Sequence, residues 1–117
     1  MAARGEGTIN TEEKDYQILF TNRALATAEQ QMGKSVLAVS SGLGNGSTGL
    51  FEMACLLQAG LEAARRDYRL GGKAFQLNDA YELMDAVGFA AVAQVVVEAM
   101  AAVLSYSNDN DDAPKKK

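Results

Sequence analysis

The side chains that could take part in catalysis are few in this chain. Its 117 residues include no histidine and one cysteine, Cys55. Catalysis by a histidine-activated nucleophile, disulfide frameworks and cysteine-rich zinc sites are therefore excluded by composition. Cys55 lies within a stretch of helical periodicity, which predicts a small buried residue that packs in a core and does no chemistry.

Carboxylates are the remaining candidates for acid–base catalysis, which needs a pair placed across a cleft. The carboxylates in the predicted helices are dispersed along the chain: Glu52, Glu62, Glu82 and Asp85. The sequence brings no two of them together, and we predict that they lie on solvated helix faces. The acidic run at 109–112 resembles a calcium loop, but the central glycine and the terminal glutamate of such a loop are missing.

A glycine motif, Gly44-x-Gly46-x-x-Gly49, has the spacing of a dinucleotide-binding turn and follows the apolar run at 36–39. A Rossmann unit also requires a second parallel strand that ends in an acidic residue about twenty positions later, and the sequence there is polar. No lysine follows the glycines, as a P-loop would require. We therefore predict no bound cofactor, a flexible loop at 42–46 and an ordinary helix start after it.

Composition also bears on partners and location. The chain has 11 basic and 15 acidic side chains, a formal net charge of −4, and no basic stripe interleaved with aromatic residues. This balance argues against nucleic-acid binding and favours a protein partner. Residues 1–10 contain no apolar signal-peptide core, and no apolar run reaches membrane-spanning length, so we predict a cytoplasmic protein that does not enter a membrane.

The segment 89–104 is the element that the other elements must cover. Its only polar side chains, Gln94 and Glu98, share one narrow face at about 100° per residue, and the rest of the helix is apolar. The opposite face consists of Phe89, Val92, Val96, Met100 and Val103. Because the segment spans only about four to five turns and carries Glu98 near its middle, it is predicted to be a core helix.

The N-terminal part of the sequence predicts a hairpin followed by two helices. Extended runs at 8–10 and 16–20 flank a polar loop, the pattern of a β-hairpin, which needs the helices or another chain for stability. A first helix is predicted from a cap at Asn22 to a left-handed terminator at Gly33. Ser35 can cap a second short helix, although the apolar run after it also fits a buried strand.

Two more helices precede the segment 89–104. The third starts at Ser47 or Thr48 and carries an apolar stripe that is expected to pack on the helix at 89–104. That stripe consists of Leu50, Met53, Ala54, Leu57, Leu61 and Ala64. The fourth is predicted from a cap at Asn78 to a terminator at Gly88, directly before the last helix.

A chain of this length suggests one domain with one core. The predicted fold class is mainly α with a small N-terminal β-hairpin (α+β), in a compact bundle of about four to five helices. Residues 1–104 are predicted to form this single helical domain, and residues 105–117 a disordered polar tail.

Methionines occur on several of the predicted apolar stripes. They are either gap-filling core residues or part of an adaptable groove, because the flexible thioether suits varied partners. Two surplus apolar positions, Phe51 and Val95, lie toward or beyond the edges of the main stripes and are either exposed or covered by the hairpin. The candidate partner-binding residues are Phe51, Val95, Met53 and Met100, and no catalytic, cofactor or metal residue is predicted.

The order of these signals resembles a known family. The residues that carry the likeness are Asn22-x-x-Leu25 leading to Met32-Gly33-Lys34-Ser35, then Gln58-Ala59-Gly60-Leu61, then Asp85-x-x-Gly88. With them, residues 5–104 resemble the small tail assembly chaperones of long-tailed phages and gene transfer agents, some of which are labelled tail tube proteins. The segment 67–72 has no counterpart in this pattern.

The resemblance implies a non-enzymatic protein of the bacterial host cytoplasm. Such a protein keeps the tape measure protein soluble and recruits tail tube protein subunits during phage tail assembly. The alternative is a structural tail tube subunit of a phage or prophage, a homo-oligomer in which hairpins pair between copies. Members of such families are often made in a short and a longer, frameshifted form, and the lysines at 115–117 could be encoded by a slippery adenine run.

Overall fold

The computed structural model describes residues 4–45 and 49–105. It contains two strands and five helices in these ranges: β1 Gly5–Asn10, β2 Asp15–Phe20, α1 Asn22–Met32, α2 Val36–Asn45, α3 Leu50–Asp67, α4 Leu77–Val87 and α5 Phe89–Leu104. The predicted fold class, mainly α with an N-terminal hairpin, is confirmed. All of the predicted tail beyond residue 105 lies outside the described residues.

The hairpin is antiparallel, with Gly5 opposite Phe20. Its turn is closed by Thr11, whose hydroxyl accepts from the backbone nitrogens of Glu13 at 3.2 Å and Lys14 at 3.1 Å. β1 begins three residues earlier than the predicted run at 8–10. Glycine has low strand propensity, so the sequence around Gly5 gave no strand signal, and tertiary packing determines its conformation.

Glycines let the hairpin approach two helices very closely. A Cβ atom built on Gly7 would lie 2.8 Å from Val95 Cγ1 of α5, and one built on Gly60 of α3 would lie 3.1 Å from Phe20 Cζ. β1 therefore packs mainly on α5, and β2 mainly on α3. The expectation that α3 and α5 are each other's main partner is wrong, because each packs on a different strand.

The first two helices are capped much as predicted. Thr21, one residue before the predicted Asn22, caps α1, and its hydroxyl accepts from the Ala24 nitrogen at 3.2 Å. Gly33 ends α1 with φ of 73°, and Ser35 accepts from the Ala38 nitrogen at 3.1 Å to cap α2. These two predictions are confirmed, and the apolar run after Ser35 is helical.

Two predictions about the next connections are corrected. The flexible loop predicted at 42–46 is wrong for residues 42–45, because α2 continues through them. The predicted starts of α3 at Ser47 or Thr48 lie outside the described residues. α4 is preceded by Gln76 instead of Asn78, and the Asp79 carboxylate accepts from the Gln76 nitrogen at 2.8 Å.

The last two helices meet at Gly88, which has φ of 103° and ends α4 as predicted. α5 has the predicted bounds, and its buried residues are Val92, Val96, Ala99, Met100 and Val103. Phe89, predicted to share this face, is 37% exposed. In the described ranges no single helix is long and apolar enough to span a membrane; α4 and α5 reach that length only together, across a 117° bend.

The core is centred on α3, whose residues from Met53 to Leu57 are all buried. The predicted apolar stripe of α3 is confirmed except at Leu50, which is 61% exposed at the first turn of the helix. Cys55 is fully buried and free, as predicted. Burial raises the pKa of its thiol, which makes the reactive thiolate scarcer.

Candidate functional site

The four residues predicted to bind a partner do not form one surface. Phe51 is 43% exposed on the first turns of α3. Val95 is half-buried against the β1 backbone. Met53 and Met100 are buried, at 0% and 1% exposure. Both are therefore core residues, and the prediction that they line a surface groove is wrong. Both belong to the core cluster that contains residues of the helices and of the hairpin.

A cleft of about 770 Å³ lies between the hairpin turn and α4. One wall is formed by residues 10–13 and Tyr16, and the other by α4 from Asp79 to Val87, with Leu61 and Phe75 also in the lining. We call this cleft the acidic groove, because four of its lining residues are carboxylates. It joins parts of the chain that are far apart in sequence, and it is open to solvent.

The floor of the acidic groove is apolar. Leu61 and Leu83 are buried core residues that also line this cleft. The rings of Tyr16 and Phe75 are half-buried and meet edge to face, with centroids 6.4 Å apart and planes at 67°. Such a floor offers van der Waals contact to apolar side chains of a ligand.

Phe75 is held in place by two side chains of α3. Its backbone nitrogen donates to Glu62 Oε1 at 2.8 Å, and its carbonyl accepts from Gln58 Nε2 at 2.9 Å. Arg65 forms a two-pronged ion pair with Glu62, with 2.9 Å between Arg65 Nε and Glu62 Oε1. The Arg65 guanidinium, followed by the Phe75 N–H, lowers the pKa of Glu62 to about 2. Glu62 is therefore a structural anchor and not the solvated residue that the sequence predicted.

The rim of the groove carries four carboxylates. Glu12 and Glu13 stand on the hairpin side, and Asp79 and Glu82 on the α4 side. No described residue in the lining is basic. Lys14, next to the turn, places its Nζ 4.8 Å from the centre of the Tyr16 ring, a cation–π contact at one end of the groove. The net charge of this surface is strongly negative.

The four rim carboxylates differ in whether they already accept hydrogen bonds. Asp79 caps α4 through the Gln76 nitrogen, and Glu82 accepts from Asn78 Nδ2 at 3.2 Å. Glu12 and Glu13 are exposed, and within the described part of the chain neither carboxylate has a hydrogen bond or ion pair. These two carboxylates are therefore available to a cationic partner.

A second cleft, of about 500 Å³, lies between α1 and α3. Its charged lining is mixed, and Arg66 pairs with Glu62 there at 3.1 Å. Gln58 Oε1 is buried without a hydrogen-bond partner among the described residues, although Gln58 is itself in contact with Phe75. The balanced charge gives this cleft no evident preference for a charged ligand.

Other polar clusters serve structural roles. Arg4 pairs with Asp67 at 2.8 Å, and the Tyr68 hydroxyl donates to Glu6, which ties β1 to the end of α3. Lys34 pairs with Glu52 at 3.0 Å. Within the described ranges no three Cys, Asp or Glu residues are placed to hold a metal ion.

Sequence reasoning missed the groove because no single pattern contains it. Tyr16 was assigned only to a strand, and Phe75 lies in a connection without periodicity. The one available signal was the acidic character of both the hairpin loop and the first turns of α4, which is visible in the sequence. Their proximity is a product of the tertiary fold.

Comparisons with known proteins give no further identification: no protein-family model matches the chain, and no curated protein or solved structure matches it significantly. The likeness to tail assembly chaperones therefore depends on the sequence pattern alone.

Proposed function

We propose that this chain is a non-enzymatic tail assembly chaperone of a phage or gene transfer agent. It acts in the bacterial host cytoplasm, where it binds the tape measure protein and tail tube subunits during assembly. The observation that carries this proposal is the acidic groove, an open cleft with an apolar floor on a small helical domain. A cleft of this kind suits a partner's amphipathic helix, a common mode of peptide recognition.

Exposed apolar side chains of α2 and α3 that do not line the acidic groove give further support. Leu37 on α2 and Leu50 on α3 are 66% and 61% exposed, and Phe51 is adjacent. Exposed apolar residues that are contiguous mark protein-binding surfaces, and Leu50 and Phe51 are neighbours at the start of α3. They offer a second contact surface to a long helical partner.

The test is co-expression with the largest helical protein encoded just downstream, followed by size-exclusion chromatography. The proposal expects the partner to become soluble and to elute together with this chain. An unrelated acidic helical protein of similar size serves as the control and should leave the partner insoluble. An insoluble partner in both cases would contradict the chaperone function.

Phe51 provides a variant for the same experiment. Phe51→Lys should retain the helical circular dichroism spectrum, because the side chain is already 43% exposed, and it should reduce the joint peak. Leu70→Lys is the matched control, since Leu70 is 56% exposed in the connection after α3. Equal effects of the two variants would remove Phe51 from the binding surface, and unfolding of the Phe51 variant would assign it to the core.

A structural tail tube subunit is the alternative function. The two strands form a sheet of their own in the described part of the chain, so each strand has one edge without a strand neighbour. Such edges can pair between copies. Rings or tubes of the purified chain in electron micrographs would favour this alternative, and a stable monomer would argue against it.

A further inference from the structure

We propose that the acidic groove binds a basic amphipathic helix, in which apolar side chains enter the groove and lysine or arginine side chains flank them. This inference deepens the proposed function, on which it rests, by naming the binding surface and the chemistry of the partner segment. It follows from the shape of the groove, from the charges on its rim, and from the lack of any described residue that pairs with two of those charges.

The floor defines the apolar part of the partner. Leu61, Leu83 and the rings of Tyr16 and Phe75 form a surface that offers dispersion contacts and few hydrogen bonds. Phe75 is fixed through Glu62 and Gln58, so this surface is formed before a ligand arrives. A preformed surface saves the ordering cost that a flexible site would add to binding.

The rim defines the charge of the partner. Glu12 and Glu13 face the groove from the hairpin turn, and Asp79 and Glu82 face it from α4, so a helix lying between them meets carboxylates on both flanks. Lys14 is the basic group at the turn, and it is engaged with the Tyr16 ring. Charge complementarity of this kind selects a cationic segment and excludes acidic ones.

Other occupants fit less well. A metal ion is disfavoured because the carboxylates stand on opposite walls and do not converge within the described residues. A second copy that presented the same face would oppose carboxylates to carboxylates across the contact. A basic amphipathic helix satisfies both the apolar floor and the acidic rim.

The direct test uses fluorescence anisotropy with three labelled synthetic helical peptides of equal length. The first combines leucine on one face with lysine, the second has the same leucines with glutamate, and the third has the same lysines with glutamine in place of leucine. The proposal expects only the first to bind, with an affinity that falls as salt is raised. Equal binding of the third peptide would overturn it, because the floor would then play no part.

Protein variants locate the binding. The double variant Glu12→Gln with Glu13→Gln should weaken binding of the leucine–lysine peptide about tenfold. Asp85→Asn with Glu98→Gln is the matched control, since it removes the same charge from exposed positions outside the groove and should leave affinity within about twofold. Equal weakening of peptide binding by both double variants would show that only the net charge of the protein matters, and it would overturn the proposal.

A further pair of variants tests whether the peptide occupies the groove, without disturbing the core. Ala86 lines the groove and is exposed on α4, so Ala86→Arg should fold and block the peptide. Ala102→Arg, at an exposed position of α5, is the control and should bind normally. Undiminished binding to Ala86→Arg would contradict the proposal. Sedimentation without peptide completes the test, because a dimer disrupted by Ala86→Arg would assign the groove to a second copy.

The outcome separates this inference from the proposed function. If the Glu12→Gln, Glu13→Gln variant still co-elutes with the downstream helical protein, the groove is not the docking surface, and the chaperone function stands on another surface. If the unmodified chain does not bind that protein, the chaperone function fails, and the peptide experiments still decide whether the groove takes a basic helix.

Discussion

The Glu62 carboxylate and the Phe75 backbone nitrogen are joined by a hydrogen bond of 2.8 Å between α3 and the connection that follows it. This bond places the Phe75 ring against Tyr16 in the floor of the acidic groove. Glu62 is therefore responsible both for closing the connection onto α3 and for the shape of the groove.

Replacement of Glu62 should separate its two roles. Glu62→Gln keeps an acceptor for the Phe75 nitrogen but loses the Arg65 ion pair, and it should lower the free energy of unfolding by about 1 kcal/mol. Glu62→Ala also leaves the half-buried N–H unpaired and should cost about 2 kcal/mol. Urea denaturation measures both, with Asp85→Asn as an exposed control. Equal losses for Gln and Ala would show that the bond to Phe75 contributes nothing.

The same carboxylate predicts how stability depends on pH. The folded pKa of Glu62 is depressed from 4.5 to about 2, so its stabilisation is complete above about pH 4.5 and is lost as pH falls toward 2. Because the side chain is still partly hydrated, we expect a loss of about 1 to 2 kcal/mol across this window. Glu62→Gln should lose correspondingly less. Identical pH profiles for the two proteins would contradict the assignment.

Close packing of β1 on α5 predicts a graded response to added methyl groups. A Cβ on Gly5 would lie 1.8 Å from the Ala99 carbonyl oxygen, and backbone cannot move aside easily. Gly5→Ala should therefore cost more than about 3 kcal/mol, measured by thermal or urea unfolding. A Cβ on Gly7 would meet side chains instead of backbone, Val95 Cγ1 at 2.8 Å and Ile18 Cγ1 at 3.3 Å, so Gly7→Ala should cost about 1 to 2 kcal/mol.

Val95→Ala provides the control for the second site. In a double-mutant cycle it should restore part of the stability lost in Gly7→Ala and none of that lost in Gly5→Ala. A Gly5→Ala protein as stable as the wild type would contradict the described position of β1.

The end of α3 predicts a stabilising substitution. Arg69 has φ of 54°, in the left-handed region. Its backbone nitrogen donates to the Arg66 carbonyl, and the Leu70 nitrogen donates to the Arg65 carbonyl. Arg69→Gly should raise the free energy of unfolding by about 0.5 kcal/mol, because glycine adopts this conformation without steric cost. Gly33→Ala, at φ of 73°, should lower it by about 1 kcal/mol. Changes of the same sign would contradict this account.

The N-terminus of α1 offers a test of cap assignment. Thr21→Ala removes the acceptor for the Ala24 nitrogen and should cost about 1 kcal/mol in thermal or urea unfolding. Asn22→Ala changes the first helical residue and should be neutral within about 0.5 kcal/mol. The reverse order of effects would restore Asn22 as the cap.

Some features of the fold could be predicted from the sequence, and others could not. Periodicity and a glycine on its N-terminal side were sufficient to place α5 at its observed bounds, since those signals are local. Adjacent Thr21 and Asn22 are both good caps, and local chemistry does not choose between them. Glycine in 42–45 suggested a loop, but the helix that Ser35 caps continues through these residues.

The candidate site was harder to predict from the sequence than the fold, for a physical reason. Met53 and Met100 lie on apolar stripes, and only packing reveals that both are covered completely. The acidic groove brings the hairpin turn, one α3 side chain and α4 together, and no local signal encodes that proximity. The sequence was sufficient to identify single positions such as Phe51 as candidates for exposure, but it did not predict which residues share a surface with them.

The contact between Gly5 and Ala99 also determines when β1 can pack during protein synthesis. The ribosome makes β1 early and α5 late, so the glycine face of β1 has no cover until nearly all of the described chain has emerged. Folding that depends on such a distant contact is expected to be slow compared with that of a bundle closed by neighbouring helices. During translation the nascent chain thus exposes one face of β1, which is covered only when α5 docks on it.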